Sequence, residues 1–451
     1  MTTRLKLLVD RRHSIRLPSP IPFENYVSFS KPSVMSTNTS SKPNRGSWMA
    51  LTAAFLGWMF DGMEMGIFPL VARPALQQMQ ALHGILDEGF VQRWMGIITA
   101  LFLIGAALGG LVFGWLGDRI GRVKAMTWSI LVYSGFTGLC YFATEPWHLG
   151  TLRSIAALGM GGEWALGVAL VMECWPESKR PLMAGLIGAS ANLGYCIIAV
   201  IGIVFPITQD SWRWVMMVGA APALLTFFIR LFVPESEKWK AARRTDGVSP
   251  VVEIFSPALL KNTLLAIAFA SVALVVTWGI VQWIPLWADQ MAGSKQPTVK
   301  AWSQFYQSLG ASVGCLLAAW LGGAIGRRLS YFFLCLASLV ATQVLFRGFH
   351  EVTTGFFIAV FISGACTASF YGWLPLYLPE IFPTRVRATG QGLAFNFGRI
   401  LAAVGAWQMP ALMAFFGKSY PKAGETIVLV YLVGMILIWF APETKNKPLP
   451  E

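Results

Sequence analysis

Five charged residues lie deep inside long apolar runs, where a charge needs a physical reason. Asp61 and Glu64 are three residues apart in the first run, so they share one face of a helix. Glu163 lies midway along the fourth run, Arg153 lies nearer its outer end, and Arg399 lies about 18 Å along a later helix. A charge at such depth costs at least about 2.5 kcal/mol and normally faces a partner or a polar cavity. These residues are therefore the first candidates for chemistry.

The three acids have the properties needed to carry a proton. In a low-dielectric environment a carboxyl group favours its neutral form, whereas a nearby arginine favours the ionised form. Two neighbouring acids also disfavour simultaneous ionisation, so one of them tends to hold a proton. We predict that Asp61 and Glu64 are a proton-coupling pair and that Glu163 is a third candidate. The alternative for Glu163 is a structural pairing, because the glycines just before it indicate a close helix contact.

The arginines favour binding of an anion. A guanidinium group pairs with a carboxylate through two parallel hydrogen bonds, which makes an anionic substrate a natural partner for Arg399. Asn396 lies three residues before Arg399 and shares its face. The alternative for Arg399 is an internal ion pair, and Arg153 fits either an outer gate or such a pair. The other predicted substrate-binding residues are polar or aromatic side chains of further apolar runs: Asn192, Tyr195, Trp278 and Gln282.

The composition predicts that these residues are positioned by membrane-spanning helices. Of 451 residues, 55% are hydrophobic and only 13% are charged, whereas soluble domains carry about 25% charged residues. Apolar stretches of about 20 residues recur and can cross a bilayer as helices. The net charge of +13 comes from Lys and Arg at the ends of these stretches, which indicates membrane topology and no nucleic-acid partner. The six cysteines form neither a disulfide framework nor a metal pattern.

Twelve spans can be placed along the chain. They are 48–72, 93–116, 122–143, 147–173, 181–205, 212–233, 258–288, 301–325, 329–347, 350–378, 388–416 and 424–441. We predict a disordered cytoplasmic tail at 1–47, an N-terminal six-helix bundle at 48–233, a cytoplasmic linker at 234–257, a C-terminal six-helix bundle at 258–441 and a cytoplasmic tail at 442–451. The distribution of Lys and Arg between the loops places both termini in the cytoplasm.

The two halves of the chain repeat each other. Three motifs of the first half recur in the same order in the second half: LGDRIGR at 116–122 as LGGAIGR at 321–327, E-x-x-P-x-x-x-R at 173–180 and 380–387, and G-x-x-x-N-x-G at 188–194 and 392–398. A Pro-Glu pair also follows the sixth and the twelfth spans. The nearly constant offset predicts an all-α membrane protein of two pseudo-symmetric six-helix bundles, arranged around a central site that opens alternately to each side.

The motifs resemble those of a known family. Residues 114–124, GWLGDRIGRVK, resemble the loop signature between the second and third helices of the major facilitator superfamily. Residues 60–64, FDGME, resemble the D-G-x-D/E signature of its proton symporters for aromatic acids, sialate and other carboxylates. Arg153 and the GMGGE run at 159–163 are similar to the same metabolite:proton symporter branch. The resemblance covers nearly all of 48–445 and implies transport by alternating access.

In this superfamily the charged loop is thought to act as a latch on the cytoplasmic side. The resemblance therefore implies a cytoplasmic gate of charged residues that separate when the cavity opens inward: Asp118, Arg119, Arg122, Glu173, Arg180, Glu380 and Arg387. The second copy has Gly323 and Ala324 in place of an acid and a base. We therefore expect one strong latch and one weak latch.

These observations predict a secondary transporter that takes up a small organic anion, such as a sugar acid, a sialate-like sugar, or an aromatic or monocarboxylic acid, together with protons. We expect a monomer in the lipid bilayer of the cell membrane that uses the proton gradient and no cofactor or metal. Two alternatives are a carrier of neutral sugars or polyols and a proton-coupled efflux antiporter. A receptor without transport would need a longer tail, and no nucleophile, base or metal constellation indicates an enzyme.

Overall fold

The apolar runs form helices because a backbone away from water must satisfy its hydrogen bonds within the segment. The computed structural model describes residues 45–451, apart from 83, 85–87, 206, 226–228, 230–231, 243–248, 293–297 and 418, and gives the backbone alone for 88, 92, 223–224, 242, 405–406 and 409–414. Residues 1–44 of the predicted tail lie outside the described residues, and so do residues 243–248 of the predicted linker.

Seventeen α-helices are resolved within the described part of the chain. They are α1 (Arg45–Ala81), α2 (Glu88–Ile120), α3 (Arg122–Leu139), α4 (Pro146–Cys174), α5 (Arg180–Val204), α6 (Trp212–Val218), α7 (Glu237–Ala242), α8 (Pro250–Glu253), α9 (Leu260–Gly279), α10 (Ile284–Ala292), α11 (Val299–Ile325), α12 (Arg327–Gly348), α13 (Thr354–Ala368), α14 (Phe370–Ile381), α15 (Arg387–Phe415), α16 (Tyr420–Ile427) and α17 (Val430–Leu437). We call α1–α6 the first half and α9–α17 the second half.

Eight helical segments of the described residues are long and apolar enough to cross a membrane by length and composition. Three of them join two successive helices: α9 with α10, α13 with α14, and α16 with α17. The other four predicted spans coincide with α1, with α3, with the segment that begins with α6, and with α15. Each of the twelve predicted spans therefore overlaps at least one helix of the structure.

The repeated Pro-Glu pairs have a structural explanation. Gly121 and Gly326 precede α3 and α12 with φ angles of 110° and 95°, a region that favours glycine. Each turn leaves backbone N–H groups unpaired at the start of the next helix, and Glu235 accepts those of α3 at 3.0 and 3.1 Å. Glu443 does the same for α12 at 3.0–3.1 Å. The two acids thus fasten equivalent chain segments in the two halves.

Glu443 lies just beyond the last membrane-spanning segment, which ends at Phe440. Burial opposes the charged form of its carboxyl group, but the backbone N–H groups of Arg327, Arg328 and Lys445 hold its pKa below the ordinary value. The carboxylate therefore stays ionised and keeps the cap in place at neutral pH.

The two halves meet along two long helix pairs. The helix α2 packs against α15, and α5 packs against α11. Small residues permit this approach: a Cβ added at Gly110 of α2 would lie 2.7 Å from the carbonyl oxygen of Gly392 in α15. These two pairs bring α1 and α5 opposite α9, α11 and α15, with a cavity between them.

Candidate functional site

One end of the helical body is closed by charged residues, and we call this end the charged face; it contains Asp118, Arg122, Glu173 and Arg387. Asp118 lies in the last turn of α2, and its side chain contacts the second half. Its Oδ2 atom accepts hydrogen bonds from the backbone N–H and the hydroxyl of Thr389, at 2.8 and 2.6 Å. The Asp118 carboxylate lies at the N-terminus of α15, where a negative charge interacts favourably with the dipole of that helix. The carboxylate therefore fastens α2 to α15.

Glu173 forms a second link between the halves. Its Oε1 atom accepts hydrogen bonds from Arg122 of the first half and from Arg387 of the second half, both at 3.1 Å. Arg122 also donates to the carbonyl oxygen of Thr384 at 2.9 Å. The three charged side chains are buried, so solvent screens their attraction little. The charged face is closed in this structure.

The second copy of the motif forms the equivalent pair in the second half, which corrects one expectation. Glu380 binds Arg327 through two hydrogen bonds, at 2.9 and 2.5 Å, as Glu173 binds Arg122 in the first half. The acid that mirrors Glu173 therefore pairs with Arg327 and not, as we expected, with Arg387. Arg180, which we expected at the gate, pairs with Glu177 of its own turn at 3.2 Å and is also attracted electrostatically by Glu380 of the other half. The repeat therefore gives equivalent pairs within the two halves, whereas among the described residues the hydrogen bond between the two E-x-x-P-x-x-x-R copies runs from Arg387 to Glu173.

Two further positions of the repeated motif, Gly323 and Arg119, make no charged contact between the halves among the described residues. Gly323, the counterpart of Asp118, packs against Pro181, where an added Cβ would lie 3.0 Å from the ring. That contact is steric and carries no charge. Arg119 is exposed and lies 4.8 Å from the ring of Trp115, so it takes no part in the closed contact that we predicted for it.

Glu173→Gln is expected to loosen the charged face. The change leaves Arg122 and Arg387 facing each other without the shared carboxylate, and breaking a buried ion pair costs about 3–5 kcal/mol. Hydrogen–deuterium exchange followed by mass spectrometry should show amide exchange across 384–391 rising by at least about tenfold.

The matched control is Glu177→Gln. The Glu177 side chain is 53% exposed and pairs with Arg180 within one turn, so exchange across 384–391 should stay as in the wild type. Equal exchange in the Glu173→Gln protein and the wild type would show that the carboxylate does not hold this face closed.

A cavity of about 780 Å³, counted together with its open mouth, lies between the halves. Its lining includes five of the seven predicted substrate-binding residues: Asn192, Tyr195, Trp278, Gln282 and Arg399. Gln282 donates to the hydroxyl oxygen of Tyr195 at 3.1 Å and so links the halves beside the cavity. A second cavity shares Met65, Trp278 and Gln282 with the first and extends toward the end opposite the charged face.

Arg399 is the cation of the main cavity lining. Its guanidinium carbon lies 5.4 Å from the ring centroid of Phe395, and its Nη1 atom donates to Asn396 at 2.6 Å. The Nε atom has no hydrogen-bond partner among the described residues. The ion pairs of the described part of the chain do not include Arg399 either, although it attracts Asp61 electrostatically. The guanidinium therefore has free capacity for an anion.

Asn396 lies behind the cavity wall and not on it. Its Nδ2 atom donates to the carbonyl oxygens of Gly161 and Gly392, both at 2.9 Å, which leaves its oxygen to accept from Arg399. We predicted that Asn396 binds substrate, and the structure instead gives it the position of a support. It orients the guanidinium and ties α15 to α4.

The structure groups the intramembrane acids differently from the predicted pair. Asp61 lies against Glu163 of α4, and the two carboxyl groups are within hydrogen-bonding reach of each other. Glu163 reaches α1 because Gly57 has no side chain, since a Cβ there would overlap its Oε1 atom. None of the four carboxylate oxygens accepts a hydrogen bond from a donor in the described chain. Two carboxyl groups can bond to each other only when one is protonated, so the pair is suited to sharing a proton.

Glu64 has a different partner. Its Oε1 atom lies 2.9 Å from Nη1 of Arg153, and the hydroxyl of Thr137 lies 3.3 Å from the same oxygen. The Arg153 guanidinium lies between the rings of Phe68 and Phe102, 4.7 and 5.0 Å from their centroids. Arg153 thus lines the second cavity as one member of a buried ion pair, which matches the structural alternative for this residue.

Some residues of the main cavity were not among the predicted site residues. Trp58 and Phe395 line it and belong to an aromatic cluster with Trp164, whose ring stacks on Phe395 at 3.9 Å. Gln304 and Gln307 also line it. These two amides are three residues apart in an apolar run, the same signal that identified Gln282, so the sequence could have revealed them. The aromatic residues carry no such signal.

Known proteins resemble the chain in sequence and structure. The Major Facilitator Superfamily profile matches residues 50–406. The inner membrane metabolite transport protein YgcS of Escherichia coli is 30% identical over 380 residues, which cover 78% of this chain and 84% of its own. The sialic acid transporter NanX of Escherichia coli is 26% identical over 409 residues, which cover 90% of this chain and 96% of its own.

A solved structure has the same fold. The proton:xylose symporter XylE, bound to 6-bromo-6-deoxy-D-glucose, aligns with a TM-score of 0.74 at 17% identity, covering 90% of this chain and 98% of its own. This likeness confirms the predicted fold class, an all-α membrane protein of twelve transmembrane helices in two pseudo-symmetric six-helix bundles.

Proposed function

The chain belongs to the Major Facilitator Superfamily, and on that premise we propose that it is a proton-coupled symporter of a small organic anion. It is an integral membrane transporter and not an enzyme. The observation that carries the proposal is Arg399, a buried guanidinium on the cavity wall that has free donor capacity and no ion-pair partner in the described chain. A substrate carboxylate would supply the missing charge and accept two parallel hydrogen bonds.

The positions of Arg399 and the acid pair provide a reason for coupling. Asp61 attracts Arg399, and Glu163 lies against Asp61. A bound carboxylate offsets the guanidinium charge, and this change favours binding of a proton by the acid pair. By linkage, a bound proton strengthens anion binding by the same factor. Proton and anion therefore bind together, as symport requires.

The sequence and structure also support a direction of access. We assign the charged face to the cytoplasm, with both termini on that side, because Lys and Arg concentrate in the loops there. With this face closed, the two connected cavities lead toward the outside. Substrate would enter there, and separation of Glu173 from Arg387 would release it inward. The proton gradient is the proposed energy source, and a monomer contains the whole cavity.

Uptake into proteoliposomes tests the proposal. We expect purified protein to accumulate radiolabelled gluconate or 4-hydroxybenzoate when the outside is one pH unit more acidic, and an uncoupler should abolish accumulation. Sorbitol is the matched control for gluconate, because it has the same carbon chain and hydroxyl groups with a neutral end. We expect no accumulation of sorbitol.

The other outcomes identify the alternatives. Accumulation of sorbitol or xylose without any carboxylate would support a neutral sugar or polyol carrier and overturn the role given to Arg399. Proton-driven movement of substrate in the opposite direction would indicate an efflux antiporter that uses the same acids. Carboxylate uptake that ignores the pH gradient would remove the proton from the mechanism.

A further inference from the structure

Two glutamine side chains of α11 line the main cavity together with Arg399. Gln304 and Gln307 are three residues apart on α11, so they share one face of that helix, and both line the cavity. Arg399 lies on the same lining, on α15. An anion held by Arg399 therefore has its far end in the part of the cavity that α11 and the neighbouring helices enclose.

The free atoms of the two amides have opposite hydrogen-bonding character. The Nε2 atom of Gln307 donates to the carbonyl oxygen of Val281 at 3.2 Å, which fixes the amide orientation and leaves its oxygen as the free acceptor. That oxygen is buried and has no donor among the residues that the structure describes. Gln304 is only 5% exposed, and its Nε2 donor lacks an acceptor within the same residues. One face of α11 thus carries a hydrogen-bond donor, Nε2 of Gln304, and an acceptor, Oε1 of Gln307, that have no partner among the described residues.

We propose that Gln304 and Gln307 select a carboxylate that carries a hydroxyl group at the end away from its carboxylate. A hydroxyl oxygen can accept a hydrogen bond from Gln304 and donate its own proton to Gln307, so one group satisfies both amides. An apolar end leaves both atoms buried without partners, which is unfavourable. A second carboxylate satisfies the Gln304 donor but repels the Gln307 oxygen. The inference rests on the proposed function, and it narrows the substrate class to hydroxylated carboxylates.

Binding to the purified full-length protein tests this inference with two matched series. The first series is benzoate, 3-hydroxybenzoate, 4-hydroxybenzoate and terephthalate, and the second is hexanoate and gluconate. Quenching of tryptophan fluorescence reports binding, since Trp58 and Trp278 line the cavity. We expect a hydroxylated member to bind at least about tenfold more tightly than the unsubstituted and dicarboxylate members of its series.

Gln304→Leu and Gln307→Leu should each weaken binding of the hydroxylated member about tenfold and leave the unsubstituted member unchanged or tighter. Gln343→Leu is the control, because Gln343 is also an amide with a free buried oxygen but lies outside the cavity lining, bonded to the carbonyl oxygen of Glu425. Arg399→Gln should weaken all carboxylates alike.

Equal affinity for the hydroxylated and unsubstituted members, or leucine variants that keep the wild-type preference, would overturn the selection by α11. The proposed function would survive that result as long as Arg399→Gln abolished carboxylate binding. Binding of no carboxylate in either series would overturn the proposed function and, with it, this inference.

Discussion

Replacing Asp61 with asparagine is expected to abolish concentrative uptake while substrate exchange across the membrane continues. One pH unit corresponds to about 1.4 kcal/mol, so a one-to-one symporter of a monoanion accumulates its substrate about tenfold. Asparagine cannot release a proton, and the accumulation ratio should therefore fall to about one. Exchange should persist because asparagine resembles the neutral acid and Arg399 remains. Proteoliposomes with the carboxylate that the wild type accumulates provide both measurements.

The partner of Asp61 decides which acids belong to the coupling site. Glu163→Gln should reproduce the defect, because Glu163 lies against Asp61. Glu64→Gln should keep coupling, since Glu64 is paired with Arg153. Glu237→Gln is the inert control, with a side chain that is 84% exposed. Full accumulation by the Asp61→Asn protein would refute the assignment. Loss of coupling in Asp61→Asn and Glu64→Gln, but not in Glu163→Gln, would support the pair Asp61 and Glu64 that the sequence predicts.

Arg399→Gln is expected to weaken carboxylate binding by at least about 30-fold. Loss of one partner of a buried, hydrogen-bonded charge pair costs about 2–5 kcal/mol. Arg399→Lys should fall between the two proteins, because an ammonium keeps the charge without the planar fork. Titration of tryptophan fluorescence gives the dissociation constants. Arg347→Gln is the matched control, since Arg347 is 67% exposed and pairs with Glu425.

Thermal unfolding separates a binding role for Arg399 from a structural one. A buried charge without a partner costs stability, so Arg399→Gln should unfold at the same temperature as the wild type or higher when substrate is absent. An arginine that completed an internal ion pair would behave oppositely, because its removal would strand a buried carboxylate. A lower unfolding temperature with unchanged carboxylate affinity would therefore support the structural role.

Much of the fold could be predicted from local properties of the chain. Apolar length and loop charge identified the helices, and the repeated motifs identified the two halves, because these features depend on segments and not on contacts. The same reasoning detected each buried charge, since a charged side chain in an apolar run is visible without a structure. It also placed Arg399, Gln282 and Tyr195 in positions that the cavity uses.

Partner choice was less predictable. Asp61 and Glu64 share a helix face, yet α4 supplies Glu163 to one and Arg153 to the other. At the charged face, the repeat aligned Arg387 with Arg180. Among the described residues Arg387 donates a hydrogen bond to the acid of the opposite half, Glu173, whereas Arg180 pairs with Glu177 of its own turn. Helical spacing describes one helix at a time, whereas these pairs form between helices that are distant in sequence.

The sequence by itself determined the membrane class, the helical repeat and the set of buried charges, because each follows from hydropathy and spacing along the chain. Only the tertiary structure decided that Asp61 meets Glu163, that Asn396 supports Arg399 and that two glutamines of α11 on the cavity lining leave one donor and one acceptor without partners among the described residues. The physical reason is that a buried polar group takes the partner that packing brings within about 3 Å, and packing depends on all helices at once.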